Sequence, residues 1–247
     1  MAMDAREFAT GLVQEAHKWA TRYVQQTYGR IQEPMSREQL VYWMRSMMWR
    51  EFKLNDVIIK EMTLLPDEAY DLKHLLSEQV LDEYKHSAVF SRLLKDMGED
   101  GDLRTYQPTE EEWKLYHDSF KWEHPAELAA ALNCSGEVLV SQYLKFLVNP
   151  KRPLVDQATA ATIESDILDE RAVYTESLVD AKTASRLNEE VIPDEGRHIR
   201  NGRMVIERFA TTDEMQERCR KAFETKINAL KIDHSNHVDS TLQASRR

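Results

Sequence analysis

Apolar residues recur at steps of three and four along almost the whole chain. No segment alternates apolar and polar positions as a half-buried strand does, so the pattern predicts a chain built of helices. Breaks at prolines and glycines divide it into helices over about 4–28, 36–63, 67–97, 109–119, 126–148, 154–181, 186–210 and 212–232. Pro66, Pro125 and Pro153 stand where the first turn of a helix tolerates proline. Residues 95–108, with Gly98, Gly101 and several acids, read as a surface connection. From about His234 the periodicity lapses, so 234–247 is expected to be a flexible tail, and 1–233 one helical domain with no linker inside it.

Composition narrows the function classes. Seven glycines and seven prolines in 247 residues are too few for a turn-rich sandwich or barrel. An excess of 43 acidic over 33 basic residues, net −10, argues against nucleic acid as the main partner, because phosphate binding draws on a basic surface. Two cysteines, Cys134 and Cys219, cannot build a disulfide scaffold or a thiolate metal site, which points to a reducing cytoplasm. The most apolar stretch, Leu128–Val148, is interrupted by Glu137, Gln142 and Lys145 and reads as a buried helix, so no membrane span is expected.

The chemistry lies in a repeated spacing. Glu83-Tyr84-Lys85-His86 and Glu195-Gly196-Arg197-His198 are both Glu-x-x-His, which puts carboxylate and imidazole one turn apart on one helix face. One such motif in a Glu-rich chain says little, but each is preceded by a glutamate at hairpin distance. Glu51 stands 32 residues before Glu83, with the midpoint on the predicted turn at Leu65-Pro66-Asp67. The two would therefore lie side by side, about 24 Å from that turn. Glu164 stands 31 residues before Glu195, with its midpoint near Asp180-Ala181. The faces carrying these acids also carry Met44, Met47, Met48, Leu54 and Ile58, then Leu76, Val80 and Phe90, then Val191, Ile192 and Ile199. Carboxylates on a core face must be paired or bind metal. Four glutamates with two neutral imidazoles sum to −4, which two divalent cations would cancel.

These residues resemble the ferritin-like di-iron carboxylate proteins, whose four-helix bundle supplies one Glu from each of two helices and Glu-x-x-His from each of the other two. The resemblance covers roughly 36–210 and implies an all-α, ferritin-like four-helix bundle core with flanking helices. Its ligands would be Glu51, Glu83, His86, Glu164, Glu195 and His198. Both motifs extend to Asp-Glu-x-x-His, as in the oxygen-activating branch. By that likeness Asp82 would orient His198 and Asp194 would orient His86. The ligand from the third helix stays open between three acids. Glu164 fits the hairpin spacing, Glu137 sits in the most apolar helix but 58 residues before Glu195, and Glu170 shares a stripe with Ile163, Ile167 and Tyr174 but lies only 25 residues before Glu195.

The resemblance implies a non-heme di-iron oxygenase or oxidase. It would use O2 as co-substrate and two iron ions, or a mixed manganese-iron pair, on a small organic substrate. A reductase or ferredoxin would suit the acidic surface as electron donor, and a homodimer is among the assemblies open to it. The competing readings are a ferritin-like iron-storage protein and a metal-free helical subunit of an oxygenase.

Overall fold

The turn at Pro66 folds two long helices back on each other, and the rest of the molecule assembles around that pair. The computed structural model describes residues 2–150 and 177–244, and every regular element among them is helical. Helix α1 (Ala5–Thr27) starts on Asp4, whose side chain accepts from the Arg6 and Glu7 amides. Helix α2 (Arg37–Leu64) starts on a capping box in which Ser36 and Gln39 satisfy each other's amides. Helix α3 (Tyr70–Asp96) returns antiparallel to it. Arg37 bonds Met97 O at 2.8 Å, Ser87 Oγ donates to Met48 O at 2.9 Å, and His86 lies beside Glu51, a register set by the intervening turn.

After the short helix α4 (Glu110–Asp118), the apolar run predicted as one helix forms as α5 (Pro125–Ala131), a π-helical stretch over Leu132–Glu137, and α6 (Val138–Val148). The extra residue of each π turn rotates the helix beyond it, and such turns concentrate at functional sites. Here the π stretch ends on Glu137.

Two expectations about the C-terminal half are corrected. The helix predicted over 186–210 is broken into α7 (Ala181–Glu190) and α8 (Ile192–Phe209), with Val191 at φ −122° and ψ −63° between them. Pro193 has no amide proton to continue the ladder, so α8 starts afresh around it. The predicted tail is helix instead, because α9 (Asp213–Gln243) runs far beyond residue 232. Its buried residues there are Asp233, His234, His237, Val238 and Thr241, a helical stripe made largely of polar types. The predicted helix over 154–181 falls largely outside the described residues.

Helices α2, α3, α5–α6 and α8 form the four-helix core, with α1 and α9 laid against it. Trp43 and Phe90 meet edge to face at 5.5 Å between centroids, and Met44, Met48, Leu72 and Leu76 are fully buried elsewhere along the same two helices. Leu178 N donates to Leu147 O at 2.8 Å, so the chain re-enters the described part against the end of α6. The four core helices are thus complete among the described residues. No helix there is long and apolar enough to cross a membrane.

Helix α8 approaches the π stretch closely, and a Cβ on Gly202 would sit 2.2 Å from Asn133 Cβ. Gly202→Ala should therefore lower stability by about 1–3 kcal/mol in denaturant unfolding. Gly11→Ala, with nothing within 4 Å, should be neutral or stabilising. Equal stability of both variants and wild type would contradict this packing.

Candidate metal centre

Each core helix brings one acid to the middle of the bundle. Helix α2 carries Glu51, α3 carries Glu83 and His86, the π stretch carries Glu137, and α8 carries Glu195 and His198. All six are buried. Glu51, Glu83 and His86 each offer a ligand atom within 4.8 Å of one another, and so do Glu83, Glu137 and His198. Glu83 is common to both groups and lies between them. Glu195 completes the ring with an oxygen 4.0 Å from His86 Nδ1.

The imidazoles are held from behind. His86 Nε2 lies 3.2 Å from Asp194 Oδ2, and His198 Nε2 lies 3.4 Å from Asp82 Oδ2, so each ring is oriented by the aspartate of the other motif. Those carboxylates are tied together by Arg197, which bonds both, and Lys85 adds a bond to Asp82 at 2.9 Å. With Nε2 engaged outward, Nδ1 of each ring faces the cluster, 3.5 Å from Glu83 for His86 and 3.1 Å for His198. Both Nδ1 atoms, Glu83 Oε1 and Glu195 Oε2 are buried without a hydrogen-bond partner. Orphaned polar atoms converging on one point are expensive unless something satisfies them, and a cation would do so with both rings neutral. The donor set of hard carboxylate oxygens with one imidazole nitrogen on each side suits a pair of divalent transition ions.

The metal-free electrostatics show the same strain. Burial pushes the Glu51 carboxyl up to about 8, and burial with the Glu137 charge pushes Glu195 well above the usual range. Burial would raise Glu83 too, but the charges of His198 and His86 outweigh it and hold that carboxyl far below its usual value. The two rings, which burial alone would neutralise, are raised well above 6.5, His86 mainly by the Asp194 bond and the nearby Glu51 carboxylate and His198 mainly by the Glu83 charge. Without metal, protons do part of the neutralising.

Of the three acids weighed for the third helix, Glu137 is the one the structure brings to the cluster. Its Oε2 lies 3.9 Å from His198 Nδ1, and its Oε1 accepts from Gln79 at 3.0 Å. Glu164 and Glu170 lie outside the described residues. The spacing argument favoured Glu164 because it assumed a tight hairpin before α8, and the first arm of that hairpin falls largely outside the described residues. Asn133 Nδ2 bonds Gln79 Oε1 and His198 O, which links the π stretch to both motif helices.

Sequence reasoning missed Glu61, Gln79, Asn133 and Arg197. Glu61 on α2 is fully buried, both its oxygens lack a partner among the described residues, and burial with the Glu137 charge raises it to about 8. Its signal was present: the α2 face through Glu51, Asn55 and Ile58 continues by a step of three to Glu61. Comparison of the chain with protein-family models, with curated proteins and with solved structures gives no match.

Glu51, Glu61, Glu195, His86 and His198 all bind protons more tightly folded than unfolded. Each therefore contributes stability that is full below its unfolded value and is lost as pH rises through the folded one. The buried His17, His234 and His237 are shifted downward, and their opposing contribution fades as pH rises above about 6.5, while Lys226, lowered to about 8, opposes only toward the top of the window, so the five raised groups outweigh them. Between pH 6.5 and 8 the metal-free protein should thus lose stability as pH rises, on the order of 5 °C in Tm. Divalent metal should remove that slope. A metal-free Tm that stays flat or rises across this window would contradict the charge assignment.

Proposed function

We propose that the chain is a non-heme di-iron oxidase or oxygenase of the ferritin-like carboxylate type, acting with O2 on a small organic molecule. The observation that carries this reading is the ring of six buried ligand residues, with Glu83 shared between two groups and both histidine Nδ1 atoms turned inward. One group, Glu51 with His86, and the other, Glu137 with His198, would each hold an iron, with Glu83 and Glu195 between them. Iron held there would supply the electrons and open coordination positions for reduction of O2 and oxidation of a neighbouring molecule.

The protein's own residues do the rest. Asp82 and Asp194 fix the rings and keep Nδ1 free of protons when metal is bound. Gln79 steadies Glu137, and the Met and Leu side chains around the ring keep bulk water out. An apolar cavity against Glu51 and Glu137 gives an organic molecule a place beside the centre, which favours turnover of a small molecule over iron storage. The exposed acids suit a basic electron-donor protein.

Anaerobic loading with ferrous iron should give about two irons per chain, and oxygen added to that sample should be consumed without further iron uptake. Many irons per chain would favour storage, and no stoichiometric iron would favour a metal-free scaffold. Glu83→Ala and His198→Ala should lose most of the iron and the oxygen uptake while keeping the helical circular dichroism. Glu137→Ala should retain about one iron per chain. Undiminished iron in all three variants would refute the site.

A further inference from the structure

The cavity beside the ring is about 110 Å³, and its wall joins the candidate centre to a second kind of chemistry. Glu51 and Glu137 line it, Leu54 and Val140 contribute to its apolar wall, and Lys226 and Ser119 also line it. Lys226, on α9, is buried, at 6% exposure. Its Nζ donates to Ser119 Oγ at 2.9 Å, and the Ser119 hydroxyl gives its own proton to Leu115 O at 2.9 Å. Ser119 therefore positions the ammonium and has no proton left for a ligand.

The other cations on this wall already have partners. Arg50 is bonded by both Nη atoms to Asp233 and by Nε to Glu112, and Lys53 pairs with Asp56 at 3.1 Å. Among the described residues no ion pair is formed by Lys226, although it faces a largely apolar space. Burial depresses it to about 8, a loss that the Asp233 and Asp118 charges, neither of them within ion-pair distance, do not make up. A lone buried ammonium is destabilising unless something pairs with it, and an apolar residue of similar length would pack there more favourably.

We propose that this cavity binds a small monocarboxylate, with the carboxylate on Lys226 Nζ and the apolar body directed along the wall toward Glu51 and Glu137. This names the substrate class of the oxidising centre and rests on the reading above. A cavity of about 150 Å³ holds benzene, so one of about 110 Å³ takes a body smaller than a benzene ring, with butyrate inside that limit and benzoate at or beyond it. A single carboxylate matches a single unpaired ammonium. An uncharged ligand would leave Lys226 unpaired, and inorganic phosphate would leave the apolar wall empty.

The test is calorimetric titration of the ferrous-loaded, anaerobic protein with benzoate and butyrate, with their neutral amides, and with inorganic phosphate. At least one acid should bind about tenfold or more tightly than its amide and than phosphate, the difference a charged hydrogen bond makes. Lys226→Met and Lys226→Gln should lose that preference while keeping the iron content of wild type, and Lys226→Met should melt no lower. An acid that binds no better than its amide, phosphate that binds as well as the acid, or a preference that survives in either variant would overturn the assignment. Iron content of the same samples separates the two claims. Full iron without an acid preference overturns only the carboxylate site, whereas the preference without stoichiometric iron supports that site and overturns the di-iron reading.

Discussion

Four glutamates buried at the centre of a helical bundle repel one another, and much of the molecule is arranged around that repulsion. Water cannot screen them, so their charge must be met by protons, by imidazolium or by metal. The metal-free protein uses the first two, as the raised Glu51 and Glu195 and the charged His86 and His198 show. A pair of divalent ions would meet the same charge with the rings neutral. The outer layer fits either state, since Asp82 and Asp194 can stabilise a charged ring or orient a neutral one. Arg197 in turn keeps those two aspartates from adding to the acid excess.

The surrounding fold serves to hold this ring in register. The Pro66 turn sets Glu51 beside Glu83, the π stretch carries Glu137, and α8, starting afresh at Pro193, carries Glu195 and His198. Close contact at Gly202 and Asn133 brings α8 onto the π stretch, and Asn133 ties that contact to Gln79. Helix α9 closes the outer side. Asp233 grips Arg50, Tyr28 bonds His234, and Arg30 pairs with Asp239, so the C-terminal helix is anchored by polar contacts where apolar ones are sparse.

How far the sequence revealed this depends on which forces are local. The α2–α3 hairpin was legible because its two helices are joined by a short turn, and counting residues from Pro66 predicts which positions meet. The two Asp-Glu-x-x-His motifs were legible because their geometry depends only on the helical repeat. Glu137 stayed one of three open acids, because it meets Glu195 through tertiary packing across a long stretch of chain, which counting residues does not reach. A π stretch leaves no periodic trace in an already apolar run. The end of α9 was misread because His234, His237 and Thr241 are polar types whose burial depends on packing against distant parts of the chain. Lys226 escaped notice for the same reason, since nothing around it in sequence marks a buried cation.

The central claim is that the six residues form one dinuclear site. Crystals of the ferrous-loaded protein, measured on either side of the iron absorption edge, would test it most directly. Two anomalous peaks should appear inside the ring, one beside Glu51 and His86 and the other beside Glu137 and His198, with Glu83 between them. A single peak, or peaks only at surface acids, would contradict the account.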